Sequence, residues 1–125
     1  MTYDPENIFA KILRGEIPCS KVYENDHALA FEDINPLAPV HILIIPKGAY
    51  VSSADFTNQA TDPEIAGFMR ACGEVATRKG LDATGYRMLS NHGVDAHQDV
   101  PHYHVHVIGG CDLGGMMKKA TSANR

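Results

Sequence analysis

The sequence predicts an α+β domain, in which an antiparallel sheet of about five strands carries two main helices on one side. Two segments, near residues 5–13 and 61–80, place apolar side chains at helical spacing. Between and after them lie short β-branched or aromatic runs bounded by turn-forming residues. The most regular run, residues 101–110, alternates histidine with apolar side chains. No repeat, low-complexity tract or linker interrupts these elements, so one compact unit is expected.

The bulk composition predicts one ordinary globular domain. With 125 residues, 44% of them hydrophobic and 21% charged, the chain is long enough to bury a single core. We expect the domain to span residues 1–125, with its core at about 5–115 and a flexible tail at 116–125. The formal net charge of −4 gives no excess of basic residues that would attract nucleic acid, so no nucleic-acid partner is expected.

Targeting and redox features predict a cytoplasmic protein. No apolar run approaches the roughly eighteen residues of a membrane-spanning helix, so no membrane association is expected. The first residues lack the basic region and apolar stretch of a signal peptide. Cys19, Cys72 and Cys111 are odd in number, widely spaced and free of any CxxC pair, which is typical of reduced thiols.

The first helix is predicted from about Pro5 to Leu13. Asp4 is expected to be its N-cap, with Pro5 at the first helical position and Gly15 just past its end. Its apolar face is expected to consist of Ile8, Phe9, Ile12 and Leu13. Most of these side chains are expected to pack in the core.

Three strands are predicted next. Lys21–Glu24 and Ala28–Asp33 flank a turn-forming Asn-Asp pair at residues 25–26. After a break that contains two prolines, Val40–Ile45 is almost wholly apolar and is expected to be a central strand buried on both faces. His41 is the exception in that strand, and it must find hydrogen-bond partners there.

The middle of the chain is predicted to hold a loop, a long helix and a fourth strand. Residues 47–60 are expected to lack regular structure. For the helix at 61–80, Thr61 and Glu64 can form a capping box, and Gly80 lies past the end. Its buried stripe is expected to consist of Ile65, Phe68, Met69, Cys72, Val75 and Ala76. Tyr86–Ser90 is predicted as the fourth strand, and a polar segment at 91–99 follows it.

The last predicted strand, Pro101–Gly110, carries the chemistry. Side chains alternate across a strand, so His102, His104 and His106 share one face. The opposite face, which can pack on a core, carries Tyr103, Val105 and Val107. Each imidazole can titrate near neutral pH, and charging neighbours together costs Coulomb energy. Three histidines at strict period two therefore indicate a function.

Two kinds of chemistry are open to three histidines on one face. Zinc favours histidine ligands, but at ~3.4 Å per residue His102 and His106 lie ~14 Å apart along a strand. No nearby carboxylate pair, HExxH or CxxC completes a zinc set, so no metal is expected. Alternatively, a neutral central imidazole can attack phosphorus with its bare ring nitrogen while its neighbours hold phosphate oxygens and supply a proton. The second chemistry explains all three positions and the polar segment before them.

The chain resembles the histidine triad (HIT) hydrolases and transferases. Their signature is His-x-His-x-His followed by apolar residues, and residues 102–108 match it throughout. Residues similar to those of the Hint branch also occur at Ile8-Phe9, Glu16–Pro18, Ala30–Ile34, Pro39–His41, Gly85–Arg87 and Asn91. Gly109-Gly110 after the triad is similar to Hint rather than to Fhit, and Gln98–Val100 and Leu113–Met116 are similar to bacterial Hint-like members. The resemblance covers about residues 5–115 and implies a HIT-like fold.

The resemblance implies a role for each site residue. His104 would be the nucleophile and form a nucleotidyl-histidine intermediate, with its Nδ1 proton bound by the backbone carbonyl of His102. His106 would contact phosphate, His41 would order the histidine network, and Asp33 would accept hydrogen bonds from two ribose hydroxyls. The purine slot would be lined by Ile8, Phe9, Phe31, Ile34 and Leu43. The phosphate and leaving group would be bordered by Asn91, Asp99 and the backbone at His97.

The same resemblance implies hydrolysis of purine nucleoside 5′-phosphoramidates at the P–N bond, with AMP or GMP conjugates as substrates. The Hint branch works as a homodimer with sheets joined edge to edge, and it needs no cofactor or metal for turnover. Two departures affect the leaving-group side: the chain lacks a Trp-Pro-Pro-Gly tail, and Asp99 stands where some members have serine. Hydrolysis of dinucleoside polyphosphates and a nucleotide-binding scaffold role are the alternatives.

Overall fold

A computed structural model describes residues 2–121, which contain five strands and three helices. The strands are β1 Lys21–Glu24, β2 Ala28–Glu32, β3 Val40–Pro46, β4 Tyr86–Leu89 and β5 Val105–Gly109. The helices are α1 Ile8–Leu13, α2 Ser53–Gln59 and α3 Asp62–Arg78. The five strands form one antiparallel sheet in the order β1-β2-β3-β5-β4. The predicted α+β class and five-stranded antiparallel sheet are confirmed.

The register across the centre of the sheet positions the site. Leu43 of β3 lies opposite Phe31 of β2 on one side and His106 of β5 on the other. Residues paired across a sheet share a face, so an apolar row runs from Phe31 to the last triad histidine. β3 is the middle strand and is buried along almost its whole length, as its apolar sequence predicts.

The two faces of the sheet carry two separate apolar clusters. On one face, Phe56 of α2 and Phe68 of α3 pack with Tyr103, Val105 and Val107. The other face carries Phe9, Leu29, Phe31, Leu43 and Ile45, with Ile12 and Leu13 packed against them. The prediction that the helices lie on one side is therefore wrong: α1 covers the second face, because its apolar stripe packs on the odd-numbered side chains of β2 and β3.

Helix α1 starts later than the sequence predicts. Its N-cap is Asn7, whose side-chain oxygen accepts the amide N–H of Ala10 at 2.9 Å. The Asp4 carboxylate instead accepts the N–H of Glu6 in a local turn, so the predicted cap at Asp4 is wrong. Gly15 ends the helix as predicted, and its φ of +80° is the left-handed conformation that glycine adopts without steric cost.

Residues 47–60 are not a plain loop, because they include α2. Its N-cap is Ser52, which accepts the N–H of Asp55 at 3.0 Å, and its one buried side chain is Phe56. In α3 the predicted capping box of Thr61 and Glu64 is present. The predicted stripe is correct for Phe68, Cys72, Val75 and Ala76, but Ile65 is only partly buried and Met69 is 53% exposed.

Strand β5 begins at Val105, four residues after the predicted start at Pro101. His102 and His104 lie ahead of the ladder in a segment without regular structure, where Tyr103 donates its N–H to the Tyr50 carbonyl at 2.7 Å. The predicted alternation nevertheless holds. Tyr103, Val105 and Val107 enter the cluster under α3, and the rings of His102 and His104 contact Phe9 on the other face.

The described part of the chain beyond β5 contains no helix or strand, and residues 116–121 are exposed. Residues 122–125 of the tail predicted to be flexible lie outside the described residues. No helix within residues 2–121 combines the length and apolar character required to cross a membrane.

Candidate active site

His104 is held in one tautomer by its local backbone. Its Nδ1 lies 2.7 Å from the carbonyl oxygen of His102, and a carbonyl can only accept, so Nδ1 carries the proton. Nε2 is left with its lone pair, in a side chain that lines a largely apolar cavity. Burial lowers the pKa of His104, and the carboxylates of Asp99 and Asp33 oppose that effect. His104 is therefore a neutral imidazole with one bare nitrogen.

His102 supports this arrangement from beneath the cavity. Its ring is fully buried, and Nε2 donates to the carbonyl oxygen of Pro46 at 2.9 Å. The hydroxyl of Tyr3 lies 2.6 Å from the remaining nitrogen, Nδ1. Burial, which outweighs the Pro46 hydrogen bond, lowers the pKa of His102 to about 4. The ring does not line the cavity, so what His102 presents to His104 is its backbone carbonyl.

His41 and His106 form a directional pair. The N–H of Leu37 donates to Nδ1 of His41 at 3.0 Å, so the proton of neutral His41 resides on Nε2. That Nε2 lies 2.9 Å from Nδ1 of His106 and 3.4 Å from a carboxylate oxygen of Asp33. Because His41 donates to Nδ1 of His106, the proton of the neutral His106 ring lies on its Nε2. Burial first, then the neighbouring His104 and His41, lower the pKa of His106 to about 4.

A cavity of about 260 Å³ opens beside the triad. Nine predicted site residues line it: Ile8, Phe9, Phe31, Asp33, Ile34, Leu43, Asp99, His104 and His106. Phe9 packs edge-on against His104 with ring centroids 4.9 Å apart, and against Phe31 at 5.7 Å. The cavity thus has an apolar wall on α1, β2 and β3, with histidines and carboxylates at its polar end.

Several lining residues were missed by the sequence analysis as site residues. These are Ile12, Ile17, Pro18, Cys19, Glu32, Asn35 and Val100. Ile17–Cys19 follow the end of α1, and nothing in their local pattern indicates that the connection passes over the cavity. Glu32 and Asn35 flank the predicted Asp33, so their position in sequence was the available signal.

Two predicted residues, Asn91 and His97, are not among those that line the cavity. They lie in the segment after β4, where His97 has a positive φ of 57°. This segment is held by Gln98, a residue not predicted to be important. Its amide donates to the carbonyls of Val51 at 2.8 Å and Val100 at 3.1 Å. Gln98 thereby fixes the chain just before Asp99 enters the cavity.

Asp33, His41 and His106 also form a group of potential metal ligands within residues 2–121, with ligand atoms inside 4.8 Å of one another. Coordination through Nε2 of His41 would require its proton to move to Nδ1. Nδ1 of His41 faces the Leu37 N–H, so two N–H donors would then face each other without an acceptor. The hydrogen bonds present therefore favour a proton-ordered network over a metal centre at these residues.

Comparison with known proteins identifies the family. The HIT domain model matches residues 14–113, which is most of the chain. The chain belongs to the HIT family. Its predicted likeness to histidine triad proteins is thereby confirmed, and the triad at 102–106 lies inside the matched region.

Relatives within the HIT family extend along nearly the whole chain. An uncharacterized HIT-like protein from Azospirillum brasilense is 64% identical over 118 residues, which covers 94% of this chain and 97% of that protein. Purine nucleoside phosphoramidase of Escherichia coli is 37% identical over 112 residues, covering 90% and 93%.

Solved HIT structures share the fold. A histidine triad protein from Clostridium difficile is 40% identical, with a TM-score of 0.79, and covers 93% of this chain and 100% of its own. A HIT family hydrolase from Clostridium thermocellum is 37% identical, with a TM-score of 0.83, covering 90% and 97%. The α+β architecture described above is therefore the HIT fold.

Proposed function

We propose that this HIT protein hydrolyses purine nucleoside 5′-phosphoramidates at the P–N bond through a nucleotidyl group carried on His104. The observation that carries the proposal is the state of His104. Its Nδ1–H is fixed on the His102 carbonyl, its Nε2 has a free lone pair, and burial keeps the ring neutral. A neutral, oriented imidazole at a cavity wall is the form in which histidine acts as a nucleophile.

The reaction takes place in two displacements. Nε2 of His104 bonds to phosphorus as the P–N bond breaks, and the amine takes up a proton from solvent as it leaves. Water then attacks the same phosphorus, the His–P bond breaks, and the nucleoside monophosphate is released with the imidazole restored. The water supplies the hydroxyl of the monophosphate and returns the proton taken by the amine. In this proposal His106 carries a proton on Nε2 and donates a hydrogen bond to phosphate oxygens.

The cavity supplies the other half of the substrate site. Phe9, Phe31 and Leu43 form a buried apolar wall suited to the faces of a purine, and the more exposed Ile8 and Ile34 complete it. Asp33 lines the same cavity, with a carboxylate oxygen 3.4 Å from Nε2 of His41, and its carboxylate can accept two ribose hydroxyls. AMP and GMP conjugates both fit this description. The name of the Escherichia coli relative, purine nucleoside phosphoramidase, supports the same class of substrate.

A competition assay tests the proposal. An adenosine phosphoramidate and a dinucleoside tetraphosphate are supplied together, and the release of amine and of nucleotide is followed. Preferential cleavage of the phosphoramidate supports the proposal, and preferential cleavage of the polyphosphate would replace it with dinucleoside polyphosphate hydrolysis. A His104→Asn variant that still restores the biological phenotype would instead indicate a nucleotide-binding scaffold whose catalysis is incidental.

A further inference from the structure

The segment before α1 reaches the underside of the triad through Tyr3. Its hydroxyl lies 2.6 Å from Nδ1 of His102, and the two rings meet edge-on with centroids 5.5 Å apart. The segment is tied to α1 from two directions. Asn7 donates its side-chain N–H to the Asp4 carbonyl at 2.7 Å, and Arg14 donates to the Pro5 carbonyl at 2.8 Å. Tyr3 is thus placed by the fold.

The hydrogen bonds of His102 define the direction of the Tyr3 contact. The Pro46 carbonyl can only accept, so Nε2 of His102 must carry the proton of the neutral ring. Nδ1 is consequently an acceptor, and Tyr3 is its donor. Both nitrogens of a ring that has no exposed surface are therefore satisfied, one by each partner.

The backbone of His102 depends on its side chain more than a strand residue would. The β5 ladder begins at Val105, so the carbonyl of His102 lies in a segment without strand pairing. The neighbouring Tyr103 N–H is bound by the Tyr50 carbonyl. The His102 ring, hydrogen-bonded to both Tyr3 and Pro46, is a further anchor of this segment.

We propose that Tyr3 is a positioning residue for the nucleophile, acting through His102 to keep the His102 carbonyl against Nδ1–H of His104. The effect of Tyr3 on catalysis rests on the proposed function. Without the Tyr3 hydroxyl, Nδ1 of His102 becomes an unpaired buried acceptor, and within residues 2–121 no other buried side-chain nitrogen or oxygen lacks a partner. The ring then shifts to recover a partner. The carbonyl moves with it, and His104 is free to place its proton on Nε2, where it blocks attack.

The test compares Tyr3→Phe with Tyr23→Phe. Both variants remove one hydroxyl from a partly buried tyrosine, but Tyr23 packs beneath α3, on the opposite face of the sheet from the histidines. Long-range ¹H–¹⁵N spectra of the histidine rings report the tautomer of each imidazole, independently of any substrate. Turnover of the phosphoramidate and affinity for AMP are measured on the same samples.

The expected result is specific to Tyr3. Wild type and Tyr23→Phe show His104 as the Nδ1–H tautomer, and Tyr3→Phe shows a mixture of tautomers at His104. In Tyr3→Phe, kcat falls about tenfold, within the ~10²-fold that a 1 Å misplacement can cost, and AMP affinity changes less than twofold.

An unchanged His104 spectrum in Tyr3→Phe would overturn the proposal, whatever the activity. A mixed spectrum with unchanged kcat would also overturn it, because position would then not limit the reaction. If wild type cleaves no phosphoramidate, the proposed function fails separately, and the spectra still decide whether Tyr3 positions His104.

Discussion

Burial determines the protonation state of the three triad histidines. It lowers the pKa of His102 and His106 to about 4 from 6.5, and it lowers the pKa of His104 as well. All three rings are consequently neutral at pH 7, although they are close neighbours. The usual objection to clustered histidines, mutual charging, does not apply here, and each ring can act through a defined lone pair and a defined N–H.

The lowered pKa of His104 predicts an unusually broad acid range for activity. A lowered pKa means that the neutral nucleophile persists below the ordinary value of 6.5, so the acid limb of kcat/KM is expected to be centred below pH 6.5. Because the Asp99 carboxylate raises the pKa of His104, Asp99→Asn is expected to move the acid limb to still lower pH. A limb centred at 6.5 or above in a pH–rate profile would contradict this assignment.

The position of Asp33 predicts a substrate-selective defect. Asp33→Asn keeps the side-chain oxygen that accepts the Asn35 N–H at 2.8 Å but removes the charge that would bind two ribose hydroxyls. Hydrogen bonds to a charged group contribute about 1.5–3 kcal/mol, so KM for ribonucleotide substrates should rise about tenfold or more. KM for 2′,3′-dideoxy analogues should change little. Asp26→Asn, in an exposed turn, is the control. Equal losses for both substrates would show that Asp33 has a structural role.

At the scale of an element, α1 is a short helix that the site depends on. Its six residues bring Phe9 against His104, and a helix of this length has little stability of its own. Its N-cap Asn7 is buried and bonded at both ends of its amide, to Ala10 and to Asp4. The cap therefore holds both the helix and the segment that carries Tyr3.

Asn7→Ala is expected to lower the free energy of unfolding by about 1–2 kcal/mol, since it removes the cap and leaves a buried N–H and a carbonyl without their partner. Urea unfolding measures the loss. Asn58→Ala, at an exposed position within α2, is the control and should stay within about 0.5 kcal/mol of wild type. Equal effects of the two substitutions would show that the Asn7 cap is not a significant anchor.

The helices and strands also show which structural features the local sequence pattern can predict. Helix α3 and the strands were predictable because caps, turns and periodicity agree over many residues. Helix α2 was not, because seven mostly polar residues with Phe56 as the one buried side chain show no period. The alternation at 102–107 predicted which face each side chain takes, but not that ladder pairing starts only at Val105. The contact of Tyr3 with His102 spans 99 positions in sequence, so no local signal could indicate it.

At the scale of the whole molecule, the exposed apolar side chains of the edge strand β4 predict self-association. Helix α3 packs on β1, β2 and β3, whereas Tyr86 and Met88 of the edge strand β4 are 41% and 39% exposed. Met88 pairs with Val107, so it faces the same side of the sheet as α3, whose Met69 is also exposed. An uncovered apolar edge beside an exposed helix position favours pairing with a second copy.

We therefore expect a symmetric dimer formed by α3 and β4. Sedimentation equilibrium at micromolar concentration should give twice the chain mass of 13.6 kDa. Met88→Lys places a charge on the edge and should shift the protein to monomer, while Gln59→Lys, at an exposed position in α2, should not. A wild-type monomer under these conditions would count against the dimer.

The central claim is that phosphorus becomes bonded to His104 during turnover. Wild type is mixed with a labelled adenosine phosphoramidate, quenched before the second displacement is complete, and digested for mass spectrometry. We predict a nucleotidyl adduct on Nε2 of His104. His104→Asn should give no adduct and lose turnover by several orders of magnitude while still binding AMP. His106→Ala should keep the adduct at a rate reduced by about 10²–10⁴-fold. Turnover without any adduct, abolished by a chelator, would contradict covalent catalysis by His104.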